Sequence, residues 1–199
     1  PSNNFATLNP LEVPEVAEKP TLTNGNTTGQ STTGGHVSGT STFGVDTGKW
    51  YAEFKVTAGN QSNALIGVIT DPISALGSTP THDSTKFYGA RGNGTKYTAG
   101  TGSNSWTATW TTDDIISLAL DCDNNRLYVA KNGQYADGSG NYNQAFTGSP
   151  AYITLASDTT YFFIGGSAST GTGEYLTMQS NFGNGRFGTT ALASSNSDS

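Results

Sequence analysis

Charge is scarce in this 199-residue chain: 9 Lys and Arg and 15 Asp and Glu make up 12% of it, about half the usual share of roughly 25%. So few cations, with a net charge of −6, argue against a nucleic-acid partner, which needs clustered Lys and Arg to release counterions. A single cysteine, Cys122, rules out an intrachain disulfide and leaves the redox compartment open. No apolar run approaches the ~20 residues of a membrane span, and no basic-then-apolar leader opens the sequence, so membrane insertion is not expected. No window carries a sustained 3.6-residue apolar period, which excludes an extensive helical architecture. There is no internal repeat of roughly 20 to 50 residues.

What is abundant is turn-forming and uncharged polar: 26 glycines, with Ser, Thr and Asn filling most remaining surface positions. The length suits one all-β domain with a continuous core. The start at Pro1 and the polar ending "ALASSNSDS" suggest a segment of something longer or a processed chain.

Residues 1–40 are rich in Asn, Thr, Gly and Pro and are expected to be an N-terminal arm or edge-strand extension; Pro14 and Pro20 exclude a regular central strand there. From residue 41 the texture changes. "KWYAEFKV" sets Trp50, Ala52, Phe54 and Val56 on one face and Tyr51, Glu53 and Lys55 on the other, the period-2 pattern of a half-buried strand. That register predicts Trp50 in the core. Further strands are predicted at "ALIGVIT", "KFYGAR", "IISLALDC", "RLYVAKN", "AYITLA", "YFFIGGSA" and "EYLTMQSNF". Asn-Gly pairs at Asn24-Gly25, Asn93-Gly94, Asn132-Gly133 and Asn184-Gly185 supply residues that tolerate the positive φ of tight hairpins. Many short strands between frequent turn signals predict a sandwich or a barrel.

"DCDNNRLYVAKNG" begins with calcium-loop spacing at Asp121, Asp123 and Asn125. A helix-loop-helix calcium site then wants Gly where Arg126 stands and a bidentate Glu where Asn132 stands. A hairpin tipped by Asp123, Asn124 and Asn125 fits better, and no metal or other cofactor is assigned. Catalysis has no motif either. His36 and His82 lie in no nucleophile or metal pattern, and Glu53, Asp71, Asp114, Asp121 and Glu174 are carboxylates of the kind any acidic β protein offers. The N-x-[ST] triplets at Asn26, Asn60 and Asn93 are read as surface markers. No enzyme activity is expected.

The aromatics say more. Tyr88, Tyr97 and Trp106 lie among Gly, Asn and Thr in "KFYGARGNGTKYTAGTGSNSW", and Tyr135 and Tyr142 in "QYADGSGNYNQAF". Rings and amides on loops are a common way to grip a sugar or peptide, and these tyrosines and Trp106, with Arg91 and Asn93, are candidate ligand residues; the alternative is that they pack between sheets.

The ordered set "GKWYAEFKV", "IGVIT", "WTTDDIISLALDCDNNRLYVAKNG", "YFFIGG" and "SNFGNGRF" resembles the SPRY domain family over residues 41–188. The resemblance implies a concanavalin-like antiparallel β-sandwich of two sheets with very little helix, used as a binding module without catalytic residues. It also implies structural roles for Trp50, Trp110, Asp114, Asp121, Asn132, Gly133, Asn181, Phe182, Gly183 and Phe187, with residues 189–199 as a flexible tail.

The long Gly- and Asn-rich loops and the opening "PSNNFATLNP" resemble SPRY-like segments of tailed-bacteriophage structural proteins. That style implies a virion-surface, extracellular module on a fibre, tail or capsid decoration, recognising host glycan or neighbouring virion proteins. A purely architectural subunit docking through its N-terminal arm, a carbohydrate-active enzyme and a homo-oligomer remain open at this stage.

Overall fold

The computed structural model describes residues 6–11, 20–31, 37–72, 81–146, 149–168, 175–183, 186–187 and 190–191. The strands in chain order are β1 (Thr21–Thr23), β2 (Thr28–Ser31), β3 (Ser38–Val45), β4 (Lys49–Gly59), β5 (Ala64–Ile69) and β6 (Phe87–Arg91). Next come β7 (Lys96–Thr98), β8 (Thr101–Ser103), β9 (Ile115–Asp121), β10 (Arg126–Lys131), β11 (Gln134–Ala136) and β12 (Tyr142–Gln144). The chain continues through β13 (Ile153–Thr154), β14 (Tyr161–Ser167), β15 (Leu176–Asn181), β16 (Arg186–Phe187) and β17 (Thr190–Ala191). Among the described residues helix is confined to two short 3₁₀ turns, Gln61–Asn63 and Thr81–Asp83, and a single helical position at Pro72.

Two antiparallel sheets face each other. The larger runs β1-β2-β15-β4-β9-β10-β11-β12, with β13 also paired to β10; the smaller runs β3-β14-β5-β6-β7-β8. Alternation along β4 decides its faces: Ala52, Phe54 and Val56 are fully buried while Tyr51, Glu53 and Lys55 point outward. From the larger sheet Ile116, Leu118, Leu120, Leu127 and Val129 join them; Ile66, Val68, Tyr88, Ala90, Tyr161 and Phe163 meet them from the smaller. The continuous apolar run of β5 has a second use. Leu65 and Ile69 pack on the opposite side of the smaller sheet with Phe87, Tyr97 and Ile164, so this sheet is covered on both faces.

Close sheet packing explains "YFFIGG". A Cβ on Gly165 would come within 2.8 Å of Phe54 Cε1 and 2.7 Å of Met178 Sδ. The bare backbone there lets the two large side chains of the facing sheet fill the interior.

The sandwich begins before residue 41. β3 was hidden by its Ser/Thr/Gly composition, yet its first four residues are buried, paired along β14. β1 and β2 extend the larger sheet through β15. Leu8 bridges Ser41, and Asn9 N–H donates to Thr40 O at 2.8 Å, tying residues 6–9 to the rim. The described parts of residues 1–40 are thus sandwich edge rather than a free arm. Pro14, His36, Glu174, Asn184-Gly185 and the tail from residue 192 lie outside the described residues.

Trp50 departs from its expected place. It keeps the inward register, opposite Leu120, but is 43% exposed. It stands one residue from the start of β4, at the rim, where its ring leans on Phe43 at 5.8 Å and Nε1 donates to Thr47 O at 2.7 Å. A correct alternation does not bury a residue at the end of a sheet.

Candidate functional site

The residues that resemble the SPRY pattern assemble into a scaffold, not a ligand site. In the β9–β10 hairpin, Asp121 accepts Lys49 Nζ at 2.6 Å and the backbone and side-chain nitrogens of Asn124, while Asp123 accepts Gly48 N–H at 2.7 Å. Partial burial alone would raise the Asp121 carboxyl; the Lys49 and Asn124 hydrogen bonds outweigh it and hold the group below its ordinary range. The acidic tip is a turn in which both Asp121 carboxylate oxygens and Asp123 Oδ1 are already engaged. Among the described residues no cluster of three or more His, Cys, Asp or Glu could hold a metal ion.

At the other end of the hairpin Asp114 collects Thr111 N–H at 2.7 Å, Asn132 Nδ2 at 2.7 Å and Lys131 Nζ at 3.1 Å. Asn132 and Gly133 both take positive φ, +50° and +81°, as a two-residue hairpin turn demands. Trp110 is buried, and its Nε1 donates to Tyr142 Oη at 2.8 Å. Near the end of the chain Asn181 accepts Gly183 N–H at 3.0 Å, and Phe182 meets Phe54 edge-on at 5.8 Å. Phe187 is half-buried on β16, paired with β17.

Most of the expected ligand residues also turn inward. Tyr88 and Tyr97 are each 7% exposed and Trp106 6%. Tyr88 stacks edge-on against Tyr161, Tyr97 packs on Phe87 and His82, and Trp106 lies under Lys96. Tyr88 and Trp106 pack in the main core between the sheets, whereas Tyr97 packs with Leu65, Ile69 and Phe87 on the opposite side of the smaller sheet; the Gly- and Asn-rich segments around them fold back as β6, β7 and β8. Tyr142 is tied to Trp110, and burial pushes its hydroxyl up to about 12. Arg91 is pinned to Asn63 Oδ1 and Ser62 O, and Asn93 accepts Thr95 N–H within its own turn. Of the seven, Tyr135 alone joins the surface described next.

The outer face of the larger sheet carries that surface. Registers place Tyr51, Ala119 and Tyr128 in one row and Glu53, Ser117, Ala130 and Tyr135 in the next. Small residues on β9 and the end of β10 leave room for large rings to lie over them; Ser117 and Ala130 are buried although they point outward. Tyr128 meets Phe146 at 5.6 Å, Tyr152 at 5.8 Å and Tyr135 at 6.5 Å, all edge-on. Tyr51, Phe146 and Tyr152 remain 52%, 58% and 40% exposed. The Arg126 guanidinium carbon sits 4.4 Å from the Tyr152 ring centre, within cation–π range. Arg126, Tyr128, Phe146, Ser149, Pro150 and Tyr152 line an open cleft of ≈ 280 Å³.

The polar groups around the rings are mostly paired. Tyr51 Oη donates to Glu53 Oε1 at 2.8 Å, and Asn181 Nδ2 donates to Glu53 Oε2 at 3.1 Å. Burial first, then the nearby Glu53 charge, raises the Tyr135 hydroxyl, so it stays protonated at neutral pH.

A sequence model of the SPRY domain matches residues 49–156, more than half of the chain. The chain belongs to the SPRY domain family. Two solved structures share the fold of this SPRY domain. The SPRY domain of human HERC1 has a TM-score of 0.58 at 17% identity, covering 80% of this chain and 91% of that one. The TRIM65 PSpry domain has a TM-score of 0.58 at 9% identity, covering 88% and 92%. No curated protein sequence matches the chain significantly. SPRY domains are generally non-catalytic interaction modules, and the aromatic face is the feature here suited to interaction.

Tyr51, Tyr128, Phe146, Tyr152 and Arg126 were missed in the sequence, although a signal for two of them exists. Tyr51 and Tyr128 occupy outward positions of alternating strands, where a solvated face would carry small polar or charged side chains. Their meeting with Phe146 and Tyr152 depends on β13 returning to β10, which no local pattern encodes.

Proposed function

We propose that this SPRY domain is a non-catalytic recognition module that holds a surface glycan against the aromatic outer face of its larger sheet. One observation carries the reading: exposed rings of Phe146 and Tyr152 flank a cleft beside Tyr128 and Arg126, whose places on β10 the sheet register fixes. Rings offer apolar area at little entropic cost, and edge-on contact with Tyr128 on β10 holds Phe146 and Tyr152 in place, which lowers the ordering penalty of binding. The setting proposed is a bacteriophage particle surface, with host glycan as the ligand; its support is the Gly-, Asn- and Thr-rich loop style of the sequence. Docking through an N-terminal arm is less well supported, since residues 6–9 and 20–31 are built into the sandwich.

A glycan array probed with the purified domain, with and without calcium, tests the reading. Selective binding is expected in both conditions, with Phe146→Ala and Tyr152→Ala each weakening it by about tenfold, the effect of ~1.4 kcal/mol. A blank array with a folded protein would overturn it.

A further inference from the structure

Arg126 differs from the other cations whose side chains are described. Lys49, Lys55, Lys86 and Lys131 each pair with an aspartate. Lys96 lies over Trp106, and Arg91 is held by Asn63 and the Ser62 carbonyl. Arg126 has no carboxylate partner among the described residues; its contacts are the Tyr152 ring and a long 3.5 Å hydrogen bond to Tyr128 Oη. Asp121, its register partner across the sheet, acts on it only as a weak charge at a distance, and the oxygens of that carboxylate already serve Lys49 and Asn124. A guanidinium stacked on a ring is held in orientation while its donor fork stays open, the geometry that matches a carboxylate in bidentate fashion.

We infer that the cleft selects an acidic saccharide, with Arg126 taking the carboxylate of the sugar and Tyr152 and Phe146 receiving its apolar face. This rests on the glycan reading above and narrows it. A cationic ligand is repelled by Arg126. An acidic peptide fits less well, because β10 is hydrogen-bonded to β9 on one side and to β11 and β13 on the other. A peptide strand laid along β10 therefore finds Arg126, Leu127, Ala130 and Lys131 already paired on both sides and forgoes most of the backbone pairing that gives strand addition its affinity. The size agrees: ≈ 280 Å³ lies just under the roughly 300–1,000 Å³ of sites for drug-sized ligands and has room for one sugar ring. The overall negative charge opposes an acidic ligand only weakly at this spot. Asp121 is neutralised by Lys49, and screening at physiological salt confines the more distant charges to about 8 Å.

The test is titration calorimetry of the intact chain in EDTA with four probes: trigalacturonate, the same trimer with its carboxylates reduced to neutral galactose, sialyllactose and poly-L-glutamate. At least one acidic sugar is expected to bind about tenfold or more tighter than the neutral trimer, losing that advantage as salt rises. Arg126→Gln should abolish the acid preference, bringing the acidic and neutral trimers to equal affinity in a protein that still melts cooperatively, and Arg126→Lys should restore only part of the preference. Equal binding of acidic and neutral trimers, or a preference that survives Arg126→Gln, overturns the inference and leaves the glycan reading standing. Binding of poly-L-glutamate without any saccharide overturns both in favour of an acidic protein partner. Silence from all four probes in a folded protein also overturns both.

Discussion

Asn132 Nδ2 donates to Asp114 Oδ1 at 2.7 Å, across the open end of the β9–β10 hairpin. Asn132 Oδ1 accepts Ile115 N–H at 2.9 Å at the same time, so one side chain fixes both strands at their shared end. Asp114 is nearly buried and gathers three further donor groups from Thr111 and Lys131. Removing the carboxylate in Asp114→Ala strands those donors, and the expected cost is about 3 kcal/mol, read as a shift of the urea midpoint at unchanged slope. Asn132→Ala should lose less alone, and the double variant should lose less than the sum, since the two residues share one network.

The same knot sets a pH dependence. Burial alone would raise the Asp114 carboxyl, but hydrogen bonds from Thr111, Asn132 and Lys131 together hold it below its ordinary value, and Asp121 is lowered by Lys49 and Asn124. A carboxylate with a depressed folded pKa stabilises the fold above its unfolded value and loses that contribution as pH falls through the folded one. Stability should therefore be level above about pH 5 and decline as pH drops through about 4 and below. Melting scans of wild type and Asp114→Asn check this, the variant showing a shallower decline. Parallel curves would mean that Asp114 plays no part in the acid sensitivity.

Position along a strand decides the weight of an aromatic residue more than its alternation does. Phe54 and Trp50 share the inward face of β4, yet Phe54 is fully buried and Trp50 is at the rim. Phe54→Ala should cost about 3 to 5 kcal/mol, whereas Trp50→Ala should cost about 1 to 2 kcal/mol, below the value of a fully buried ring. Denaturant unfolding of the two variants decides it. Equal losses would place Trp50 in the core after all.

Where one face of a strand is apolar and the other polar, local sequence carried the structure. β4, β9 and β10 were legible for that reason, and the "WTTDDIISLALDCDNNRLYVAKNG" segment folds as the hairpin its Asp123-Asn124-Asn125 tip announces. β3 was not legible, because "SGTSTFGV" is buried through backbone pairing and close approach rather than through large apolar side chains. The aromatic site failed to show for a different reason. Tyr51, Tyr128, Phe146 and Tyr152 come from three separate stretches, and only sheet register and the return of β13 bring them onto one face. Tyr88, Tyr97 and Trp106 looked loop-borne because Gly and Asn surround them, but those small residues make room for buried rings, Tyr88 and Trp106 in the main core and Tyr97 on the far side of the smaller sheet.

Cys122 gives a last check on the packing of the β9–β10 turn. It is 8% exposed and belongs to the main core, although its neighbours Asp121 and Asp123 face water. Burial raises the thiol above its ordinary value, and the charges of Asp123, Asp46 and Asp121 raise it further. Since the thiolate is the reactive form, both effects suppress its chemistry at neutral pH. The native protein should resist iodoacetamide for hours at pH 7.5 while the urea-unfolded chain is alkylated promptly, one label per molecule by mass spectrometry. Rapid labelling of the native state would mean that the turn opens without global unfolding, so labelling rates across a urea series below the unfolding transition separate local opening from full unfolding.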